Sequence, residues 1–278
     1  MREVRDKSVI PGFGLTLGYT LFYMSLIVLL PLSTIFFKSP SLISPEFWAT
    51  VTSPRVMASY RLSFFTAMAA AGINLISGLI VAWCLVRYRF PGRRFIDALI
   101  DLPFAMPTAV AGIALCTIYE KNNWFGWFFY HVFGIEIAYR PAGILVALIF
   151  IGLPFIVRTV QPVLQEIDST QEEAAGSLGA GRWQTFRHVL FPPLIPALLT
   201  GFSLAFARAV GEYGSVIFIA GNIPMVSEIT PLMIITKLEQ FDYPGASAVA
   251  VSMLAISFVI LLSVNTVQHV VARRYGRI

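Results

Sequence analysis

Charge, cysteine and histidine are scarce in this 278-residue sequence, and each scarcity removes a class of function. Charged residues make up 13%, about half the share of a typical soluble domain, too few for a solvated charged shell. The two cysteines, Cys84 and Cys116, fall within apolar runs and read as small packing residues without a redox role. His131, His188 and His269 lie in three separate loops or ends, and without H-E-x-x-H or Cys-x-x-Cys they assemble no metal site. No G-x-S-x-G marks a nucleophile, and no G-x-x-x-x-G-K-[ST] loop cradles a phosphate. The chain is read as non-catalytic. Any nucleotide energy that drives it must be bound by another chain.

What is abundant is apolar sequence. Hydrophobic residues make up 57% and the mean hydropathy is +0.75, the signature of an integral membrane protein. Six runs are long and apolar enough to cross a hydrocarbon core about 30 Å thick, which takes about 20 helical residues. They cover residues 14–37, 62–86, 98–119, 142–164, 194–219 and 246–271. No strand-like alternation supports a barrel, so the backbone must be satisfied inside helices. The expected fold is an all-α bundle of six transmembrane helices. The first run is too long for the h-region of a cleaved signal peptide and reads as a retained helix.

Orientation follows from the basic residues. With the N-terminus in the cytoplasm, thirteen of the 20 Lys and Arg fall inside: Arg2, Arg5, Lys7, Arg87, Arg89, Arg93, Arg94, Arg158, Arg182, Arg187, Arg273, Arg274 and Arg277. Six fall outside: Lys38, Arg55, Arg61, Lys121, Arg140 and Lys237, with Arg208 inside the fifth run. Both termini are therefore expected in the cytoplasm. The net charge of +5 reads as a topology signal, not as a nucleic-acid footprint.

Ionisable residues inside spans are costly and mark function or bracing. Arg208 and Glu212, four apart in LLTGFSLAFARAVGEYGSV, share one helix face with Gly201, Leu204, Ala205, Gly211 and Ser215. Two readings stand: Arg208, Glu212 and Ser215 line or gate a path, or the charged pair locks two helices together. Pro103, Pro107 and Pro154 each remove a backbone donor and favour a bend, which suits a transporter or a simple packing kink. The aromatic stretch NNWFGWFFYHVF at 122–133 reads as an interfacial belt or as a docking surface for an external partner.

One stretch fits neither membrane nor solvent. EEAAGSLGAGRWQTFRHVLFPP, residues 172–193, carries Glu, Gln and Arg together with an apolar stripe. Ser169 and Glu172 have the S-x-x-E spacing of a capping box, predicting a short helix from near Thr170 to Gly179, where glycine allows a left-handed turn. A second short helix is expected from about Gly181 to Leu190, stopped by Pro192 and Pro193. Ala174, Ala175 and Leu178 share a face of the first, and Trp183, Phe186 and Leu190 a face of the second. Such a shape can enter a groove on another protein.

This stretch resembles the E-A-A-x-x-x-G-x(9)-I-x-L-P loop of binding-protein-dependent ABC importer permeases. Glu173, Ala174, Ala175, Gly179 and Pro192 match, while Val189 and Phe191 replace the usual Ile and Leu with other apolar residues. The resemblance covers about residues 11–268. DLPFAMPTAVAG, FIVRTVQPVLQE, FARAVGEYGSVIFIAGNIP and LEQFDYPGASAVA are similar to the first membrane subunit of sulfate/thiosulfate permeases; the R-A-x-G-E-[FY]-G element is shared with molybdate permeases.

The resemblance implies a type I ABC importer permease fold with a core at about 58–270, an additional N-terminal transmembrane helix at about 14–37 and a cytoplasmic coupling loop at about 166–193. It implies import of sulfate/thiosulfate by alternating access in a bacterial inner membrane; molybdate or another oxyanion is the alternative, and a secondary anion transporter a weaker one. The implied partners are a second homologous permease subunit, two ATP-binding subunits, an external sulfate-binding protein and the lipid bilayer. No cofactor is implied on this chain, with ATP and Mg held by the ATP-binding subunits. Coupling would fall to Glu173, Ala174, Ala175, Gly179, Trp183, Phe186 and Pro192.

Overall fold

The computed structural model describes residues 12–38 and 44–275, which are helical and loop throughout, without strands. Arg2, Arg5, Lys7 and Arg277, counted in the topology argument, lie outside the described residues. Among the described residues five helices are long and apolar enough to cross a membrane: α1 (Phe13–Thr34), α3 (Pro54–Arg87), α8 (Pro141–Glu166), α10 (Arg182–Val210) and α13 (Tyr243–Tyr275). Between them lie α2 (Pro45–Val51), α4 (Arg93–Ile100), α5 (Leu102–Ala105), α6 (Thr108–Tyr119), α7 (Trp124–Phe133), α9 (Ser169–Ser177), α11 (Val216–Ile219) and α12 (Thr230–Glu239). The bundle is a multi-pass membrane domain.

The expected third span is broken. Pro107 biases Met106 out of the helical region, and Met106 is extended (φ −95°, ψ 140°) between α5 and α6. The fifth run breaks as well: α10 ends at Val210, Gly211 caps it, and α11 is four residues long. Glu212 therefore lies beyond the helix that carries Arg208, not one turn along it as expected. The two breaks abut. A Cβ on Gly112 of α6 would come within 2.7 Å of Ser215 Cα, and one on Gly214 within 3.1 Å of Thr108 Cβ. Irregular backbone at membrane depth needs such protein cover.

The core joins α3, α8 and α10. Lipid tails are as apolar as leucine, so close van der Waals packing of small residues, not water exclusion, holds such helices together. On α3 the buried face runs Ser63, Thr66, Ala67, Ala70, Ala71, Asn74, Gly78 and Ala82, at three- and four-residue spacings. A Cβ on Gly78 would stand 2.7 Å from Ile156 Cβ of α8, and one on Gly201 of α10 would stand 3.1 Å from Ile156 Cα. Both glycines are needed for the approach. Fully buried Asn74 donates to the Ile149 carbonyl at 3.1 Å.

Hydrogen bonds brace the end from which α3 starts. Ser63 Oγ accepts from Thr230 N at 2.8 Å and caps α12. The Tyr60 hydroxyl donates to the Val249 carbonyl at 3.2 Å and pairs with Ser252 Oγ, tying α3 to α13. α1 buries none of its first twelve residues. Its C-terminal part packs on α13, and Leu32 lines a groove together with Phe206 and Met253.

Candidate functional site

The loop between α8 and α10 is built by local capping. Asp168, not Ser169, is the N-cap of α9: its Oδ1 accepts from Thr170 N at 3.0 Å. The expected Ser169–Glu172 capping box is therefore not formed, and Glu172 turns instead to Arg87. The Thr170 backbone N–H holds the Asp168 carboxyl below the usual carboxylate range. At the other end Gly179 has φ +85°, and Ala180 N donates to the Ala175 carbonyl at 3.0 Å, which closes a left-handed helix terminus. Gly181 N then donates to Gln184 Oε1 at 2.9 Å, opening α10.

α10 corrects a second expectation. Pro192 and Pro193 do not stop the helix, which runs unbroken from Arg182 to Val210. A π turn at Phe186–Leu190 precedes them, and its wider ring gives room beside prolines that can donate no hydrogen bond. The loop is thus one short helix and the N-terminal turns of a span.

Its side chains divide into two sets. Glu173, Ala174, Leu178, Gly179 and Trp183 are exposed, Leu178 to 88% and Trp183 to 69%. Ala175 is buried, and Pro192 and Phe186 are half-buried. Phe186 meets Trp83 of α3 edge-on at 5.5 Å and stacks on Trp183 at 5.5 Å. Ala174 and Leu178 share an exposed face, but Ala175 turns the other way.

Glu172 pairs with Arg87 at 2.5 Å, and the Arg87 guanidinium lies 5.3 Å from the Trp83 ring centroid. The pair lacks hydrogen-bond alignment: Arg87 Nε and Nη2 and Glu172 Oε1 are buried without a hydrogen-bond partner among the described residues. Cys84, expected in the packing, is exposed beside this cluster, in a groove lined by Trp83, Trp183 and Phe186; Cys116 is half-buried. The loop presents a small apolar ridge backed by an aromatic wedge that ties it to α3.

Arg208, Glu212 and Ser215 do meet. Glu212 Oε2 pairs with Arg208, while Oε1 accepts from Ser215 N at 2.9 Å and Ser215 Oγ at 3.0 Å. The Glu212 side chain is 2% exposed and that of Arg208 36%. The carboxylate thus satisfies the backbone at the α10–α11 break. Gly201 and Ala205 are buried, but Leu204 on the same supposed face is 44% exposed, because the buried face of α10, which also holds Leu198, Phe206 and Ala209, is turned away from it.

Sequence reasoning missed two charged clusters. Arg158, counted among the cytoplasmic basic residues, lies within α8 and clasps the segment before the broken third span. It donates to Asp101 at 2.8 and 2.5 Å, to Asp97 Oδ1 at 2.7 Å, to the Asp97 carbonyl at 2.9 Å and to Gln161 Oε1 at 2.6 Å. The Gln161 amide, with Arg158, holds the Asp97 carboxyl below its usual range. Two aspartates four apart in DALIDLP and a lone Arg in an apolar run were the available signal. The second cluster is bidentate: Arg55 donates to Glu228 at 2.8 and 2.7 Å, with Glu228 buried.

A membrane bundle with broken helices and a capped loop before its penultimate span is an architecture that suits a transport permease. The family model for the binding-protein-dependent transport system inner membrane component matches residues 74–277, and the chain belongs to that family. It is similar to the sulfate transport system permease protein CysT of Salmonella typhimurium, at 48% identity over 277 residues that cover 100% of this chain and 98% of that one. A protein of the same name from Synechocystis is 50% identical over 257 residues, 92% and 89% of the two chains. Among solved structures, a bacterial alginate ABC transporter in complex with an alginate pentasaccharide-bound periplasmic protein aligns over 95% of this chain and 94% of its own. Its TM-score is 0.73 at 14% identity. The inward-facing MetNI methionine ABC transporter aligns over 83% and 99%, with a TM-score of 0.58 at 19% identity. These two share the fold.

Proposed function

We propose that this permease subunit moves sulfate, with thiosulfate as a related cargo, into the cytoplasm. The observation that carries the reading is the 48% identity to sulfate permeases along the whole chain. Hydrolysis of Mg-bound ATP falls to two separate ATP-binding subunits, and an external sulfate-binding protein delivers the anion to this chain and a second homologous permease subunit. Both termini face the cytoplasm of a bacterial inner membrane. Residues 14–37 form a span added to the permease core at about 58–270, and the loop at about 166–193 does the coupling.

In this reading Glu173, Ala174, Leu178, Gly179 and Trp183 meet an ATP-binding subunit, while Ala175, Phe186 and Pro192 hold the loop to the bundle so that its movement is passed to α3 and α10. Arg208, Glu212 and Ser215 sit where two broken helices abut, a place at which small rearrangements open or close a path. ATP shifts the population between inward- and outward-open states by its differential affinity for them. Labelled-sulfate uptake tests the cargo. A clean deletion in a strain with no redundant importer should lose sulfate and thiosulfate uptake and keep molybdate uptake. Normal sulfate import there overturns the assignment in favour of another oxyanion.

A further inference from the structure

At the end of the bundle opposite the coupling loop, the cations whose side chains are described are paired, with one exception. Arg55 holds Glu228, Lys121 and Arg140 hold Glu136, and Lys237 holds Asp242. Arg61 is exposed and has no hydrogen-bond or ion-pair partner among the described residues. It lies in an open groove of about 580 Å³ whose other walls are Met57, Ala58, Leu62, Phe65, Met225 and Val226.

A lone guanidinium among apolar side chains selects its ligand by chemistry. A free tetrahedral dianion leaving water needs several donors around it, since a buried charge must be both paired and hydrogen-bonded. No side chain of this groove other than Arg61 donates a hydrogen bond. An amphiphile has the matching polarity: one phosphate for the guanidinium and hydrocarbon for the walls. Arg61 also has the right depth. α3 has 34 residues, roughly 51 Å, and if it is centred on the bilayer Arg61 stands roughly 14 Å from the midplane. That is the edge of a hydrocarbon core about 30 Å thick. Deeper on the same side of α3, Phe65, Met68 and Ile76 are exposed and continue the groove as a track for an acyl chain.

We propose that Arg61 and this groove form a binding site for an anionic phospholipid, with the lipid phosphate on the Arg61 guanidinium and one acyl chain along Phe65, Met68 and Ile76. The inference rests on the chain's crossing a bilayer and not on the identity of its cargo, so its failure leaves the sulfate reading untouched. The full chain, purified with the subunits that accompany it and stripped of lipid, is titrated with phosphatidylglycerol or phosphatidylethanolamine, and bound lipid is counted by native mass spectrometry. Expected is one tightly held phosphatidylglycerol per chain, bound more tightly than phosphatidylethanolamine. Affinity should fall about fivefold in Arg61→Gln, as for one basic residue at a lipid surface. Phe65→Ala, which keeps the charge, should weaken binding too, while Arg61→Lys should largely retain it. Millimolar sulfate should not compete.

Equal phosphatidylglycerol binding by wild type, Arg61→Gln and Phe65→Ala overturns the site. Arg61-dependent displacement of the lipid by sulfate overturns it in favour of a receiving site for the free anion. Absence of the lipid from the assembled complex, together with loss of a companion permease subunit in Arg61→Gln, overturns it in favour of a protein contact.

Discussion

Neutralising Arg208 and neutralising Glu212 should not be equivalent, although the two side chains form one ion pair. The Glu212 carboxylate is 2% exposed and also accepts from Ser215 N and Ser215 Oγ, whereas the Arg208 side chain is 36% exposed. Arg208→Gln leaves a buried carboxylate with two neutral donors and no cation, a loss of about 3 kcal/mol. Glu212→Gln leaves an arginine that is itself only partly enclosed by the bundle, and the new glutamine oxygen still accepts from Ser215. That variant should lose only about 1 kcal/mol, the net worth of a hydrogen bond, because no buried charge is left unpaired. Glu212→Ala also orphans the Ser215 N–H at the helix break, adding about 1–3 kcal/mol. The double Arg208→Gln/Glu212→Gln variant removes both charges and should recover about 2 kcal/mol of the Arg208→Gln loss.

Thermal unfolding of the detergent-purified protein, membrane abundance and labelled-sulfate uptake together test this order. Arg208→Gln should melt lowest of the two single glutamine variants, and the double variant should melt above it. Equal melting of the two singles, or a double variant no better than Arg208→Gln, refutes the reasoning about where the buried charge sits. Uptake separates gate from brace. If the double variant regains stability and abundance but not transport, the pair acts in the path; if it regains full transport as well, the pair only braces the break.

Gly179→Val should leave the spans inserted, because no span surface changes, yet abolish ATPase stimulation by the loaded external protein, since a β-branched residue resists φ +85°. Wild-type stimulation and uptake would falsify the docking assignment of this loop. For the Arg158 clasp, the Asp97 carboxyl titrates lower in the folded chain than unfolded, so the folded state binds fewer protons and stability rises with pH. That contribution is complete above roughly pH 4–5, near the ordinary aspartate value, and fades as pH falls through the lower folded value. Melting temperature measured between neutral and acidic pH should drop less steeply in Asp97→Asn than in the wild type, and parallel curves would remove Asp97 from the clasp.

How much of this was legible depended on what each signal encodes. Length and hydropathy mark residues that can sit in hydrocarbon, and they located the five long helices, including the first, which buries few side chains, but not the short helices α2, α7 and α12 between them. They carry no information about whether backbone stays helical. Pro107 did, because its ring acts on the residue before it whatever the surroundings, and the break at Met106 is where it predicts. Pro192 and Pro193 misled for the complementary reason. A proline removes a donor, but it ends a helix only if no wider turn can absorb the misfit, and the π turn at Phe186–Leu190 is such a turn.

The site was read on the same terms. Gly179 was legible because a left-handed helix terminus is a local requirement. Which of Ala174, Ala175 and Leu178 faces outward was not, since it depends on how α9 rests on the bundle, and that is set by Glu172 on Arg87 and Phe186 on Trp83. The same dependence explains the two missed clusters. Arg158 and Asp97, like Arg55 and Glu228, are distant in sequence and meet only after α8 and the α11–α12 connection have been placed. Their partners compensate for the cost of charge near or within the membrane. Charged residues of such a chain that lack a partner in the folded bundle are therefore the ones to match with something outside it, and Arg61 is one of these by position as well as by chemistry.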